Sequence, residues 1–228
     1  MIFFDIDATL LDHDLAEKMG AIDFYRIYKK DLEYSESEFV DLWYILSKKY
    51  FEQFLEKELS FQEQRRMRIK DLFGHHLNDE KADTKFNNYL NLYKSNWSTF
   101  KDVIPCLQQL KQQGIRLGII SNGDYNQQLE KLELIKIHSY FECIITSSEI
   151  GEAKPNPNIF QEACDQANVQ VHESYYVGDR LETDAIGSKN AGMMGIWLNR
   201  KNNITHCDVK VIHSLNELTS LFDNTLLK

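Results

Sequence analysis

Met1-Ile-Phe-Phe-Asp5-Ile-Asp7-Ala-Thr9 opens the chain, and the fold turns on how this stretch is read. Four apolar residues run straight into two carboxylates spaced i, i+2, the pattern of a short buried strand that stops at Asp5. Successive strand residues point to opposite faces, so Asp5 and Asp7 share a side. Both then crowd one spot at a strand's carboxyl end, where open α/β sheets place their ligands. Two like charges that close need a cation between them, or a proton on one of them. The first case makes a metal site and the second an acid. The plainer alternative is a pair of solvated turn residues after an edge strand, and the rest of the chain decides.

From Val103 onward the pattern alternates strand, loop and helix. Ile115-Arg-Leu-Gly-Ile-Ile120, Glu142-Cys-Ile-Ile-Thr146, Ser174-Tyr-Tyr-Val177, Met194-Gly-Ile-Trp-Leu198 and Val209-Lys-Val-Ile-His213 read as strands, with helices between them. The loop Ser147 to Asn158 precedes a helix to Ala167, and another helix runs from Asp179 through about Ala191. Apolar runs buried on both faces, linked by helices, imply an α/β fold: a Rossmann-like parallel sheet flanked by helices.

Residues from about 15 to 100 differ sharply. They contain two glycines, Gly20 and Gly74, and no proline. Phe39, Leu42, Trp43, Leu46, Tyr50 and Phe54 recur at three- and four-residue steps, as do Phe86, Tyr89, Leu90, Tyr93 and Trp97. Ser35-x-x-Glu38 and Ser60-x-x-Glu63 fit the capping box that opens a helix. The segment reads as an insertion of four or so helices whose aromatic stripes pack against one another and are not a base-stacking surface. The expected division is an α/β core of residues 1–14 and 100–228 and a helical domain of residues 15–99.

Composition narrows the partners. The 228 residues are 43% hydrophobic and carry a formal charge of -9, a surface that attracts neither a nucleic-acid polymer nor an anionic membrane. A small phosphorylated metabolite remains compatible, because a divalent cation inverts the sign of a pocket locally. Cys106, Cys143, Cys164 and Cys207 form no C-x-x-C pair and no cluster with histidine, which argues against zinc. No basic stretch precedes an apolar segment, and no run reaches the ~18 residues of a membrane span. A cytoplasmic enzyme, monomer or homodimer, is the expectation.

Each strand end of the α/β part carries its own polar signature: Asp5, Asp7 and Thr9; then Ser121-Asn122-Gly123; then Lys154-Pro155; then Gly178-Asp179 with Asp184 five residues on. A parallel sheet gathers these ends on one edge. Carboxylates for a hard cation, hydroxyls and an ammonium for phosphate oxygens, and a carboxylate nucleophile suit phosphoryl transfer.

These four motifs, in this order, resemble the haloacid dehalogenase superfamily, in the subfamily with a helical cap inserted just after the first motif. The resemblance implies Asp5 as the nucleophile that forms an aspartyl-phosphate and Asp7 as the acid and base. It implies Mg²⁺ held by Asp5, Asp179 and the backbone carbonyl of Asp7, with Asp184 one shell further out. Thr9, Ser121, Asn122 and Lys154 would serve the phosphoryl group, Thr9 also orienting Asp7. Ala8 departs from the glycine most common at its position, a change of one methyl group expected to leave the chemistry alone.

Asp7 argues against a halide-displacing dehalogenase, whose members lack the second aspartate. A phosphoryl mutase shares all four motifs and stays open. A non-catalytic phospho-acceptor domain is shorter and has no helical insertion. For substrate, the segment Ser60 to Arg68 resembles the cap of bacterial pyrimidine 5′-nucleotidases, with Arg65 and Arg68 on one helix face as candidate specificity residues. A solvated face pairing with Glu63 and Asp71 is the alternative for these arginines. The leading expectation is a nucleoside monophosphate. The motif Gly178-Asp-x-Leu-Glu-Thr-Asp184 is similar to N-acylneuraminate-9-phosphatases, which makes a sugar phosphate the second.

Overall fold

A computed structural model describes residues 1–204 and 206–223. In chain order the elements are β1 (Ile2–Phe4), α1 (His13–Tyr28), α2 (Glu36–Leu55), α3 (Phe61–Phe73), α4 (Asp79–Ser95), α5 (Val103–Gln112), β2 (Leu117–Ser121) and α6 (Tyr125–Leu134). There follow β3 (Ile144–Thr146), α7 (Ser147–Ile150), α8 (Pro157–Ala167), β4 (Tyr175–Gly178), α9 (Gly187–Asn190), β5 (Met194–Leu198), β6 (Lys210–Ile212) and α10 (Leu215–Asp223). The chain separates into two compact units, one of Met1–Asp12 with the chain from Ser98 onward, the other of His13–Trp97.

The first unit holds a six-stranded sheet of order β3-β2-β1-β4-β5-β6, with every pairing parallel. All three residues of β1 and all five of β2 are buried, as strands covered on both faces must be. Phe3, Ile120, Ile145, Phe160 and Tyr176 pack into one apolar cluster, each large side chain contributing about 1.5–3 kcal/mol by leaving water. The chain runs outward from β1 through β2 to β3, then returns to β1's other side at β4. Connections therefore diverge beyond the carboxyl ends of β1 and β4, the crevice where open sheets bind ligands. Asp5 continues the ladder there, donating its N–H to the Val177 carbonyl at 2.9 Å.

Two local departures from the expected elements matter. Ser147–Ile150, expected as loop, forms the short helix α7. Past Asp179 the chain first winds as a π-helix over Leu181–Ile186. There the Arg180 carbonyl accepts from Ala185 N at 3.3 Å as well as from Asp184 N at 2.9 Å. Wide turns of this kind concentrate at functional sites, and this one contains Asp184.

The second unit is four helices around aromatic rings. Phe39, Trp43, Leu46 and Tyr50 form the buried stripe of α2, and Ala82, Phe86, Tyr89 and Tyr93 that of α4. The Trp43 and Tyr89 ring centroids lie 4.0 Å apart, and Phe24 sits 5.6 Å from Trp43. These aromatics are core. Both capping boxes form, Ser35 with Glu38 and Ser60 with Glu63. Among the described residues, no helix is long and apolar enough to cross a membrane.

Candidate active site

Asp5, one residue past β1, is 7% exposed, and Lys154, brought in by the loop before α8, is 5% exposed. The Lys154 ammonium donates to Asp5 Oδ1 at 2.7 Å, to Asp184 Oδ1 at 2.8 Å and to the Tyr176 hydroxyl at 2.6 Å. Tyr176 passes its own proton to the Ile120 carbonyl at 2.7 Å. All three ammonium protons are thus engaged. The Lys154 backbone is fixed by Asn122, whose Nδ2 donates to the Lys154 carbonyl at 3.0 Å and whose Oδ1 accepts from Lys154 N at 2.8 Å. The Asn122 side chain, expected among the phosphate ligands, is occupied in setting this loop. Asp184 approaches because residue 178 is glycine: a Cβ there would collide with the Asp184 carboxylate. The other Asp184 oxygen accepts from Arg180 N at 3.0 Å.

Carboxylate oxygens of Asp5, Asp179 and Asp184 all lie within 4.8 Å of one another. Burial, together with the Asp5 and Asp184 charges, pushes Asp179 up to about 8. Burial also raises Asp5, to about 6, against the pull of Lys154. Burial opposes charge on Lys154, but Asp184 and Asp5 outweigh it and hold the ammonium above the usual lysine range. One lysine is too little cation for this cluster, which holds Asp179 well above the ordinary carboxylate range. Oxygen donors crowded to that degree fit a hard divalent cation.

Asp7 stands apart from that cluster. Its carboxylate is 28% exposed and receives Lys131 Nζ at 2.7 Å on both oxygens and Gln128 Nε2 at 3.2 Å. Gln128 also donates to Ser121 Oγ at 2.7 Å. Thr9 Oγ1 is buried without a hydrogen-bond partner. Ala8 takes φ +62°, a left-handed conformation that a methyl group makes costly. A glycine at this position would relieve that strain.

Sequence reasoning did not single out Lys131, Gln128 or Tyr176. Of the two cap arginines, Arg68 does not lie on a solvated face. Arg68 is buried, donating to Ser47 Oγ at 3.0 Å and to Gln64 Oε1, and the Arg65 guanidinium stacks 4.1 Å over the Phe61 ring. Glu63 accepts from Ser60 N at 2.8 Å, and Asp71 accepts from the Tyr50 hydroxyl at 2.6 Å. The neighbouring Arg66 forms ion pairs, at 2.7 Å to Asp83 and 2.9 Å to Asp79.

The sheet order, the acidic cluster at its switch point and the Lys154 clamp define a haloacid dehalogenase-like hydrolase, and comparison with known proteins agrees. The profile described as haloacid dehalogenase-like hydrolase matches residues 2–198. The N-acylneuraminate-9-phosphatase of Rattus norvegicus is 30% identical over 211 residues, covering 89% of this chain and 84% of its own. The glyceraldehyde 3-phosphate phosphatase of Methanopyrus kandleri is 43% identical over 118 residues, 52% of this chain, and the match spans about half of that relative (47%). Among solved structures, the Bacillus subtilis putative HAD-hydrolase YfnB, bound to magnesium, superposes with TM-score 0.79 over 97% of each chain at 19% identity. The chain belongs to the haloacid dehalogenase-like hydrolases. Within them it is a phosphatase, a phosphoric monoester hydrolase.

Proposed function

We propose that this phosphatase hydrolyses a small sugar-type phosphomonoester through an aspartyl-phosphate on Asp5. An Asp5 oxygen attacks phosphorus, and the bond to the leaving alkoxide breaks as Asp7 gives it a proton. Asp7 then takes a proton from the water that attacks the acyl-phosphate, which regenerates Asp5 and releases inorganic phosphate. Ser121 and the backbone amide of Asn122 hold phosphoryl oxygens, the Gly123 N–H being given to Ser147 Oγ at 2.9 Å. Lys154 keeps cationic charge against Asp5 as negative charge accumulates. Asp5, Asp179 and the Asp7 carbonyl would hold Mg²⁺, with Asp184 behind them. When bound, that ion supplies positive charge that lets Asp5 stand ionised among its neighbours and draws the substrate phosphate in.

The observation that carries this reading is the Asp5–Lys154–Asp184 clamp beside Asp179 at the sheet's switch point. It provides a nucleophile, a charge balance and oxygen ligands in one place. Asp7 favours phosphoryl transfer over halide displacement, because an alkoxide leaving group needs a proton and a halide does not. On substrate, the relatives favour the sugar phosphate over the nucleoside monophosphate: one acts on an acylated sugar phosphate and the other on a triose phosphate. The four unpaired cysteines suit a reducing compartment such as the cytoplasm.

A panel of phosphorylated metabolites with the purified protein and Mg²⁺ tests the substrate class. Sugar phosphates should exceed nucleoside 5′-monophosphates in kcat/KM by about tenfold or more, the scale of discrimination by a few pocket contacts. The reverse preference would restore the nucleotide reading.

A further inference from the structure

Helix α6 buries two polar side chains that have no part in the chemistry assigned to Asp5 and Asp7. Gln128 is 2% exposed and Lys131 4% exposed, and their i, i+3 spacing puts them on one face. That face meets the Asp7 carboxyl group. The ammonium bridges both Asp7 oxygens at 2.7 Å, while Gln128 Nε2 spans Ser121 Oγ at 2.7 Å and Asp7 Oδ2 at 3.2 Å. The amide can face only this way, since Oε1 in the place of Nε2 would oppose a carboxylate. Gly123 leaves it room: a Cβ there, at φ +150°, would stand 3.2 Å from Gln128 Nε2. A buried ammonium is costly unless paired, so Lys131 is committed to Asp7. Thr9, the residue the family resemblance assigns to orienting Asp7, contributes no hydrogen bond from its hydroxyl.

We propose that Lys131 and Gln128 are the positioning residues of Asp7. Lys131 fixes the plane of the carboxyl group by gripping both oxygens. Gln128 fixes its distance from Ser121, and so from the phosphoryl group that Ser121 holds. The clasp supplies direction: a carboxyl group aimed at the leaving oxygen in the first half of the reaction and at water in the second. The inference rests on the reading of Asp7 as the proton carrier.

A misaimed acid hurts most where the leaving group most needs a proton. The test compares p-nitrophenyl phosphate, whose phenolate departs readily, with phenyl phosphate, whose phenolate departs poorly. Steady-state kinetics are measured on the full chain with Mg²⁺. Lys131→Met should lose about tenfold on p-nitrophenyl phosphate and about a hundredfold on phenyl phosphate, mainly in kcat, within the usual range of general acid help. Lys131→Arg, which also grips both oxygens, should recover most of that loss. Gln128→Leu should show the same skew at smaller size, and it decides the matter should Lys131→Met fail to fold by circular dichroism. Asp7→Asn is the reference and should show the largest skew. Equal losses on the two substrates in the Lys131 and Gln128 variants, beside a skewed Asp7→Asn, would overturn the clasp alone. An unskewed Asp7→Asn would overturn the reading of Asp7 and the clasp with it.

Discussion

The sheet edge of the first unit and the helical bundle of the second spend their polar groups in opposite ways. Beyond β1 and β4, three carboxylates and one ammonium are packed so tightly that Asp179 is pushed up to about 8. In the bundle, Phe24, Trp43 and Tyr89 supply the interior, and Arg66, Asp79 and Asp83 settle their charges in ion pairs nearer water. The edge carries electrostatic tension that a bound cation would relieve. The bundle carries less: its charges are mostly paired near water, and its deeply buried cation, Arg68, donates to Ser47 and Gln64. Chemistry belongs to the strained region, and stability is drawn from the relaxed one.

Substitutions should separate the two. The largest effect is expected at Asp5→Asn, with kcat on p-nitrophenyl phosphate falling by roughly 10⁵–10⁶, the scale seen when a nucleophile is removed, while the far-ultraviolet spectrum stays unchanged. Asp7→Asn should cost roughly 10²–10⁴ in kcat, the worth of general acid–base help. Trp43→Ala should reverse the pattern, lowering unfolding free energy by about 3–5 kcal/mol as a buried aromatic is lost. A Trp43→Ala protein as stable as its parent in a denaturant titration would remove the contrast between the regions.

Acidity gives a further separation. The folded values of Asp179 and Asp5 lie above the ordinary carboxylate value of 3.8. Between about pH 4 and pH 8 the folded chain without metal therefore keeps protons that the unfolded chain has released. Its stability falls as pH rises through that window. Mg²⁺ must displace those protons, so it binds better at pH 8 than at pH 5. At saturating concentration it should add about 2–3 kcal/mol at pH 8, read as a rise in Tm, and little at pH 5. Equal shifts at the two pH values would contradict the crowding. The smallest effect is expected at Ala8→Gly, which should gain about 1 kcal/mol by relieving the left-handed methyl group, against the loss of chain stiffness in the unfolded state.

How much of this was legible in the sequence follows from the range of each signal. The i, i+2 pair of Asp5 and Asp7, the apolar runs and the four strand-end motifs are local, and so the parallel sheet and the phosphoryl-transfer equipment could be read directly. Capping boxes at Ser35 and Ser60 are local too. Lys131 reaches Asp7 across 124 positions, and no single-chain pattern reports such a contact. The one hint was a lysine and a glutamine on the buried face of α6, beside Leu132, where an amphipathic helix should be apolar. Tyr176 was hidden because a mid-strand tyrosine reads as packing. Arg68 was not expected in the core because arginine is seldom buried; it donates to Ser47 and Gln64, neither of which is charged, and its Nε has no hydrogen-bond partner.

The central claim is that Asp5, just past the end of β1, becomes covalently phosphorylated. Acid quenching during turnover of a radiolabelled phosphomonoester, followed by peptide mapping, reads this directly. Label should remain on the protein, in the peptide containing Asp5, and vanish in Asp5→Asn. Turnover with no label on the protein, or label on any other residue, would contradict it.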